Sequence, residues 1–332
     1  MSARKAGLPQ SKVRHTHRVI PATEFDTGRQ RLFGLAYRLL GAAGEAEDVV
    51  EDAYLSWERA DREATTHPEA WLTKAVTRRC VDRLGAVRAT RAHNLGPWLP
   101  APVLTAALGS LATAEQRDSV SLALLVLLEH RTPHERAVFV LRTAFGCRYR
   151  AIAEILELSP GNCRQLYHRT TRHLANRSSS CPPVRAERVR LAEQFLLAIK
   201  SGDLVGLEAI LAEDVTVWAD GVRRVATARH PVVGRDRVAR YLVGAFRKIA
   251  VPVRFGLAEV NASTAILAAT GGTLLAVVAP EIDGGRIVGL RIVASPDKLS
   301  SVANGLSARI PRQAASGRDV RCNPSQGLDS SV

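Results

Sequence analysis

Three sets of polar residues in this sequence have the types and spacing to do chemistry. The first is acidic: Glu47, Asp48, Glu51 and Asp52 share a face of a helical pattern whose other stripe is Val49, Val50, Ala53, Tyr54 and Trp57. The second is basic: Lys74, Arg78, Arg79 and Arg83 lie outside an apolar stripe of Trp71, Leu72, Ala75, Val76, Cys80 and Leu84. The third, Asn162, Arg164, Gln165, His168, Arg169 and Arg172, follows Ser159-Pro160 with Cys163, Leu166 and Tyr167 turned inward. Arginine can donate two hydrogen bonds to a guanine edge, and Asn or Gln can bridge an adenine edge, so this third set suits reading of a DNA major groove. A net charge of +14 points the same way, toward a polyanionic partner, nucleic acid first, although ribosomal, membrane-surface and heparin-type partners share the signal.

Other groups are less promising. Acid–base catalysis needs a carboxylate or imidazole held in an apolar cavity that sets its pKa. Asp214, Asp220, His230, Asp236 and Glu259 are the candidates, and they form no recognisable catalytic arrangement. Asp214 precedes a strand pattern, Asp220 sits in a turn before Gly221, and His230 precedes Pro231. Cys80, Cys147, Cys163, Cys181 and Cys322 are scattered without a C-x-x-C pair, which argues against a zinc site or a disulfide scaffold and for a reducing cytoplasm. Neither a cofactor nor a metal is expected. The basic first 20 residues contain no apolar signal-peptide run, and no later stretch is apolar for long enough to span a bilayer.

The elements that must position these groups can be read in order. A helix around Leu32–Leu40 is stopped by Gly41, a second covers Glu45–Arg59, and a third runs from near Glu69 to about Arg83. Turn-rich residues 61–68 separate the last two. Gly96-Pro97-Trp98-Leu99-Pro100-Ala101-Pro102 cannot continue a helix and reads as a partly extended linker, with Trp98 and Leu99 as docking residues. Leu122–Leu128 is a strongly apolar helix. Thr132-Pro133-His134-Glu135 is a capping box with proline at the first helical position, and its helix ends near Gly146. A short helix over Tyr149–Leu156, a tight turn at Glu157-Leu158 and the polar helix from Ser159-Pro160 describe a helix-turn-helix.

Past a Ser/Pro-rich break at 177–183 the pattern changes class. Helices are expected over 184–200, ending at Gly202, over Leu204–Leu211 and over Asp236–Lys248. Strands are expected at Val215–Trp218, Val251–Val260, Thr264–Ala269, Thr273–Pro280 and Arg286–Ala294. Gly271-Gly272 and Gly284-Gly285 read as hairpin turns, which makes the last four strands an antiparallel meander within an α+β domain. Residues 305–332 read as a disordered tail.

The whole pattern resembles a known family. Tyr37-Arg38-Leu39-Leu40-Gly41 followed by Ala46 to Trp57 looks like region 2 of extracytoplasmic-function sigma factors, and Trp71 to Leu84 looks like the promoter-contacting helix of that region. Residues 132–174 resemble region 4. Gly96-Pro97-Trp98-Leu99-Pro100 in the linker and Ser295-Pro296-Asp297-Lys298-Leu299 after the last strand resemble the SigJ-like subgroup, which bears a C-terminal SnoaL-like domain. Two departures stand out. Thr170 replaces a usual alanine, and Asp220-Gly221-Val222-Arg223-Arg224 keeps only the first two residues and the basic end of the subgroup's D-G-G-G-K.

The resemblance implies a multidomain chain: a basic tail (1–25), an all-α region 2 bundle (26–90), a linker (91–115), a region 4 helix-turn-helix (116–178), an α+β SnoaL-like cone (183–304) and a tail. It implies that Asp48, Glu51, Asp52 and Trp57 dock on the β′ coiled coil of RNA polymerase core. Lys74, Arg78, Arg79 and Arg83 would hold the −10 element, and loop 61–68 the melted strand. Asn162, Arg164, Gln165, His168 and Arg169 would reach the −35 element, with Arg172 on phosphate. Trp98, Leu99, Asp220, Gly221, Asp297 and Lys298 would make regulatory contacts in cis, and a small molecule in the cone is a second route to regulation. The competing readings are a stand-alone helix-turn-helix regulator with a ligand-binding domain, acting without polymerase, and a SnoaL-like enzyme fused to a DNA-binding unit.

Overall fold

The protein is described by a computed structural model covering residues 22–60, 67–90, 98–175, 184–220, 230–249 and 251–309. The first three helices are α1 (Ala22–Leu40), α2 (Ala43–Arg59) and α3 (Pro68–Thr90). Their facing stripes close a core of Leu35, Ala36, Leu39, Val49, Val50, Ala53, Leu72, Val76 and Cys80. Helix α1 begins ten residues before the expected start, and α3 runs seven residues past Arg83. Gly41 stops α1 with a φ of +70°, a conformation that costs glycine no Cβ strain. The basic tail and most of loop 61–68, where strand capture was expected, lie outside the described residues.

The linker is extended from Trp98 to Val103 and then forms a single 3₁₀ turn at Thr105–Leu108. Helices α4 (Ala114–Asp118), α5 (Leu122–Glu129), α6 (Pro133–Thr143), α7 (Tyr149–Leu156) and α8 (Pro160–Ala175) follow. The capping box forms as the sequence demands: Thr132 N–H donates to Glu135 Oε2 at 2.9 Å, and Glu135 N–H donates to Thr132 Oγ1 at 3.3 Å. Glu157 takes the left-handed conformation in the α7–α8 turn, and Ser159 Oγ caps α8 by accepting from Asn162 N–H at 3.1 Å.

The two helical units do not stand apart. Leu125, Leu128, Val138, Leu141, Ile152 and Cys163 belong to the same apolar cluster as the α1–α3 residues. Two buried arginines tie the seam. Arg38, on α1, donates through Nε to Ser119 Oγ at 2.9 Å, and Arg136, on α6, donates to the Arg38 carbonyl at 3.2 Å. Burial lowers the Arg38 pKa to about 10. The two units pack on one another because leucine side chains at the seam each gain about 1.5–3 kcal/mol by leaving water together.

The C-terminal domain contains α9 (Arg185–Ser201), α10 (Leu204–Ile210), β1 (Leu211–Asp220), β2 (Val232–Val233), α11 (Arg235–Arg247), β3 (Arg254–Val260), β4 (Ser263–Thr270), β5 (Thr273–Asp283), β6 (Arg286–Val293) and α12 (Pro296–Arg309). The sheet order is β2-β1-β6-β5-β4-β3. The β3–β6 meander is antiparallel, as read, with all four glycines of its two Gly-Gly turns at positive φ. The sheet as a whole is mixed, because β1 pairs with β6 in parallel, Val217 opposite Leu290. One face packs on α9–α11 around Phe195, Leu207, Val217, Leu242, Ile266 and Leu290. The other face lies against the linker and α12. Helix α12 reaches five residues into the expected tail because Leu299 and Val302 are buried there.

Candidate nucleic-acid interface

Helix α8 presents its polar residues outward. Asn162, Arg164, Gln165, His168, Arg169 and Arg172 are all exposed, while Cys163 and Thr170 are buried and Leu166 and Tyr167 half-buried. Phe139 stacks on Tyr167 and sets the roll of the helix. Thr170, at the family's alanine position, spends its hydroxyl on the Leu166 carbonyl at 2.9 Å. The helix contains no carboxylate of its own. Arg169 is the exception among the readers, since its Nε sits 2.7 Å from Glu135 Oε1 and ties α8 to the capping box of α6. Burial raises the Glu135 carboxyl, but Thr132 and Arg169 outweigh it and hold the group below the usual carboxylate range.

On α2, Asp48, Glu51 and Asp52 are exposed, and Trp57 is half-buried with its ring 5.3 Å from Trp71. The basic set on α3 is less available than expected. Lys74 is half-buried. Arg79 donates to Ser56 Oγ at 2.7 Å, and Arg83 reaches the Glu45 carbonyl at 3.1 Å and Asp48 at 3.9 Å, so both fasten α3 to α2. Arg78 points across the seam, donating to the Ile155 carbonyl at 2.9 Å and to Glu157 at 2.5 Å.

Four of the six expected regulatory residues meet at one place. Lys298 Nζ donates to the Leu99 carbonyl at 2.7 Å, pairs with Asp220 and lies 5.6 Å from the centre of the Trp98 ring. Leu99 is fully buried against Val260, Leu267, Val277, Leu299 and Val302. A methyl group at Gly41 would collide with the Trp98 ring, which places the linker directly on the end of α1. Asp220 ends β1 rather than sitting in a turn. Asp297 is exposed and apart from the contact, and Gly221 lies outside the described residues.

The catalytic candidates are dispersed. Asp214 is exposed on β1, Asp236 pairs with Arg240 at the start of α11, and His230 is exposed. Glu259, on β3, pairs with Arg117 of α4 and so joins two domains. None belongs to the apolar cluster under α9–α11. Sequence reasoning missed Tyr37, Arg38, Arg136 and Asn261, the buried polar residues of the seam. Only an arginine within an apolar helical stripe, as at Arg38, gave any signal.

Comparison with known proteins now identifies the class. Residues 25–90 match the Sigma-70 region 2 family and residues 121–174 the Sigma-70 region 4 family, so the helical half is that of a sigma-70-type factor. ECF RNA polymerase sigma factor SigJ of Mycobacterium tuberculosis is 33% identical over 280 residues, 82% of this chain and 86% of SigJ. Probable ECF RNA polymerase sigma factor SigI of the same species is 30% identical over 274 residues, 82% of this chain and 92% of SigI. The crystal structure of M. tuberculosis SigJ superposes with a TM-score of 0.67 at 28% identity, covering 84% of this chain and 98% of that one. The chain belongs to the extracytoplasmic-function family of RNA polymerase sigma factors. As such it directs promoter-specific initiation by RNA polymerase, and among the described residues no helix is long and apolar enough to cross a membrane.

Proposed function

We propose that α8 reads the −35 element through Asn162, Arg164, Gln165 and His168, with Arg172 on the phosphate backbone. The observation that carries this is the exposure of these residues on a capped helix free of carboxylates. Arg169 joins them only after leaving Glu135, so it contributes less than its neighbours. On α3, Lys74 is a −10 contact, Arg78 joins it only after leaving Glu157 and the Ile155 carbonyl, and Arg79 and Arg83 hold the helix in position. The exposed carboxylates Asp48, Glu51 and Asp52 dock on the polymerase β′ coiled coil, with Trp57 buttressing the face through Trp71.

The C-terminal domain regulates these activities in cis by contact with the linker, a reading supported by the Lys298–Leu99–Trp98–Asp220 cluster. The dispersal of Asp214, His230, Asp236 and Glu259 favours regulation over turnover. A stand-alone regulator would have no use for the acidic face of α2. Purified chain mixed with core polymerase and a library of promoter fragments tests the assignment. Specific transcripts from a shared upstream motif are expected. Tight operator binding that is indifferent to core, without initiation, would overturn it.

A further inference from the structure

Helix α11 has an outer face of one sign. Its apolar side, Val238, Ala239, Leu242 and Val243, is buried in the core under α9–α11. On the opposite side Arg237, Arg240, Arg247 and Lys248 are exposed. At about 100° per residue these four and Gly244 fall within an arc of about 100°, and the face is about 16 Å long. Asp236 is the one carboxylate of the helix, and it is paired with Arg240. Helix α9, by contrast, mixes Glu187 and Glu193 among Arg185, Arg188 and Arg190.

The basic surface continues past the helix. Lys200, exposed near the end of α9, lies 5.3 Å from the centre of the Phe255 ring. The Arg247 guanidinium lies over Gly202, the left-handed cap of α9, where a Cβ would come within 3.1 Å of it. Asp203 is occupied in capping α10, accepting from Gly206 N–H at 2.9 Å.

Gly244 adds an independent observation. It stands amid the four cations, and among the described residues no neighbouring atom lies within 4 Å of where its Cβ would be. Packing within the chain therefore does not call for glycine there, although an interior glycine weakens a helix. What the missing side chain permits is close approach of something from outside. A protein partner would need apolar side chains at the centre of the contact, and a membrane surface would need an apolar face to insert. The arc from Arg247 to Lys248 contains no apolar side chain. A DNA duplex asks only for cations, since each strand offers a phosphate about every 3.4 Å of axis. We propose that this face of α11 binds the phosphate backbone of duplex DNA without regard to sequence, with Gly244 at the point of closest approach. The contact is additional to those of α3 and α8.

The full-length chain, titrated with a fluorescent duplex of mixed sequence at about 50 to 200 mM salt, tests this. Arg237→Gln with Arg247→Gln should weaken binding at least about tenfold and reduce the slope of log K against log salt by about 2, roughly 0.9 per phosphate lost. Arg185→Gln with Arg190→Gln removes the same charge from α9 and should leave the slope at its wild-type value. A wild-type slope in the first variant, or an equal fall in both, would overturn the proposal. Because Arg247 also covers the α9 cap, a lowered melting temperature in that variant passes the decision to Gly244→Glu. This change places a better helix former and a carboxylate at the centre of the face while removing no side chain. Weaker duplex binding at an undiminished melting temperature is expected, and wild-type binding would refute the contact. Wild-type duplex binding with reduced capture of core polymerase would make the face a protein contact and refute it equally. The −35 assignment fails or stands separately, since Arg164→Ala with Gln165→Ala alters promoter discrimination whether or not α11 touches DNA.

Discussion

At the residue scale, the DNA-reading side chains were legible because capping chemistry is local. Ser159-Pro160 and Thr132 to Glu135 announce helix starts, and the polar residues after Ser159 then fall on one exposed face. Arg164→Ala and Gln165→Ala should each cost about 1–3 kcal/mol at particular −35 positions, read as holoenzyme affinity across a set of single-base promoter variants. A uniform loss on every sequence would mean backbone contact only. Glu135 gives a pH prediction. Its carboxyl is held low in the fold, so its ionised form stabilises the protein above the unfolded carboxylate pKa, and that contribution disappears as pH falls through the lower folded value. Glu135→Gln should therefore be less stable than wild type at neutral pH and nearly equal to it in strong acid, as followed by thermal melts. Asn261 was not legible. Its partners, Tyr37, Val103 and Val120, are 141 to 224 residues away, and a hairpin asparagine looks like turn chemistry alone.

At the element scale, helices α6 to α8 and the antiparallel meander followed from periodicity, because their burial is one-sided and their turns carry proline or glycine. Less visible was the parallel pairing of β1 with β6, since strand partners distant in sequence leave no local mark. Helix α12 escaped for a related reason, because its buried face packs on Val260, Leu267 and Val277 of the sheet together with Leu99 and Leu104 of the linker, partners distant in sequence. Lys298 and Leu99 belong to motifs nearly 200 residues apart, and the Lys298 ammonium meets the Leu99 carbonyl. Helix α2 carries its own prediction. Asp48→Arg with Asp52→Arg should abolish core binding while leaving the melting temperature within a few degrees, because both side chains point to solvent. Undiminished assembly with core in a pull-down would show that another face docks.

At the scale of the molecule, the sequence suggested two readers and a regulatory domain but not their closure onto one another. Net charge and motif order say what each unit touches; only tertiary contacts say that α3 and α7 share a core. Among the described residues, that cluster draws one buried residue, Ala262, from the C-terminal domain. Deleting residues 183–332 should therefore leave the helical half folded, with near-native helix content, yet change its activity in transcription with core. Unaltered activity would remove the regulatory role.

The most direct measurement is a footprint of the holoenzyme on a selected promoter, taken with the wild-type chain and with the Arg164→Ala, Gln165→Ala double variant. Two protected stretches about two and a half turns apart are predicted, the upstream one lost in the variant and the downstream one kept. A single continuous footprint that forms without polymerase would contradict the account.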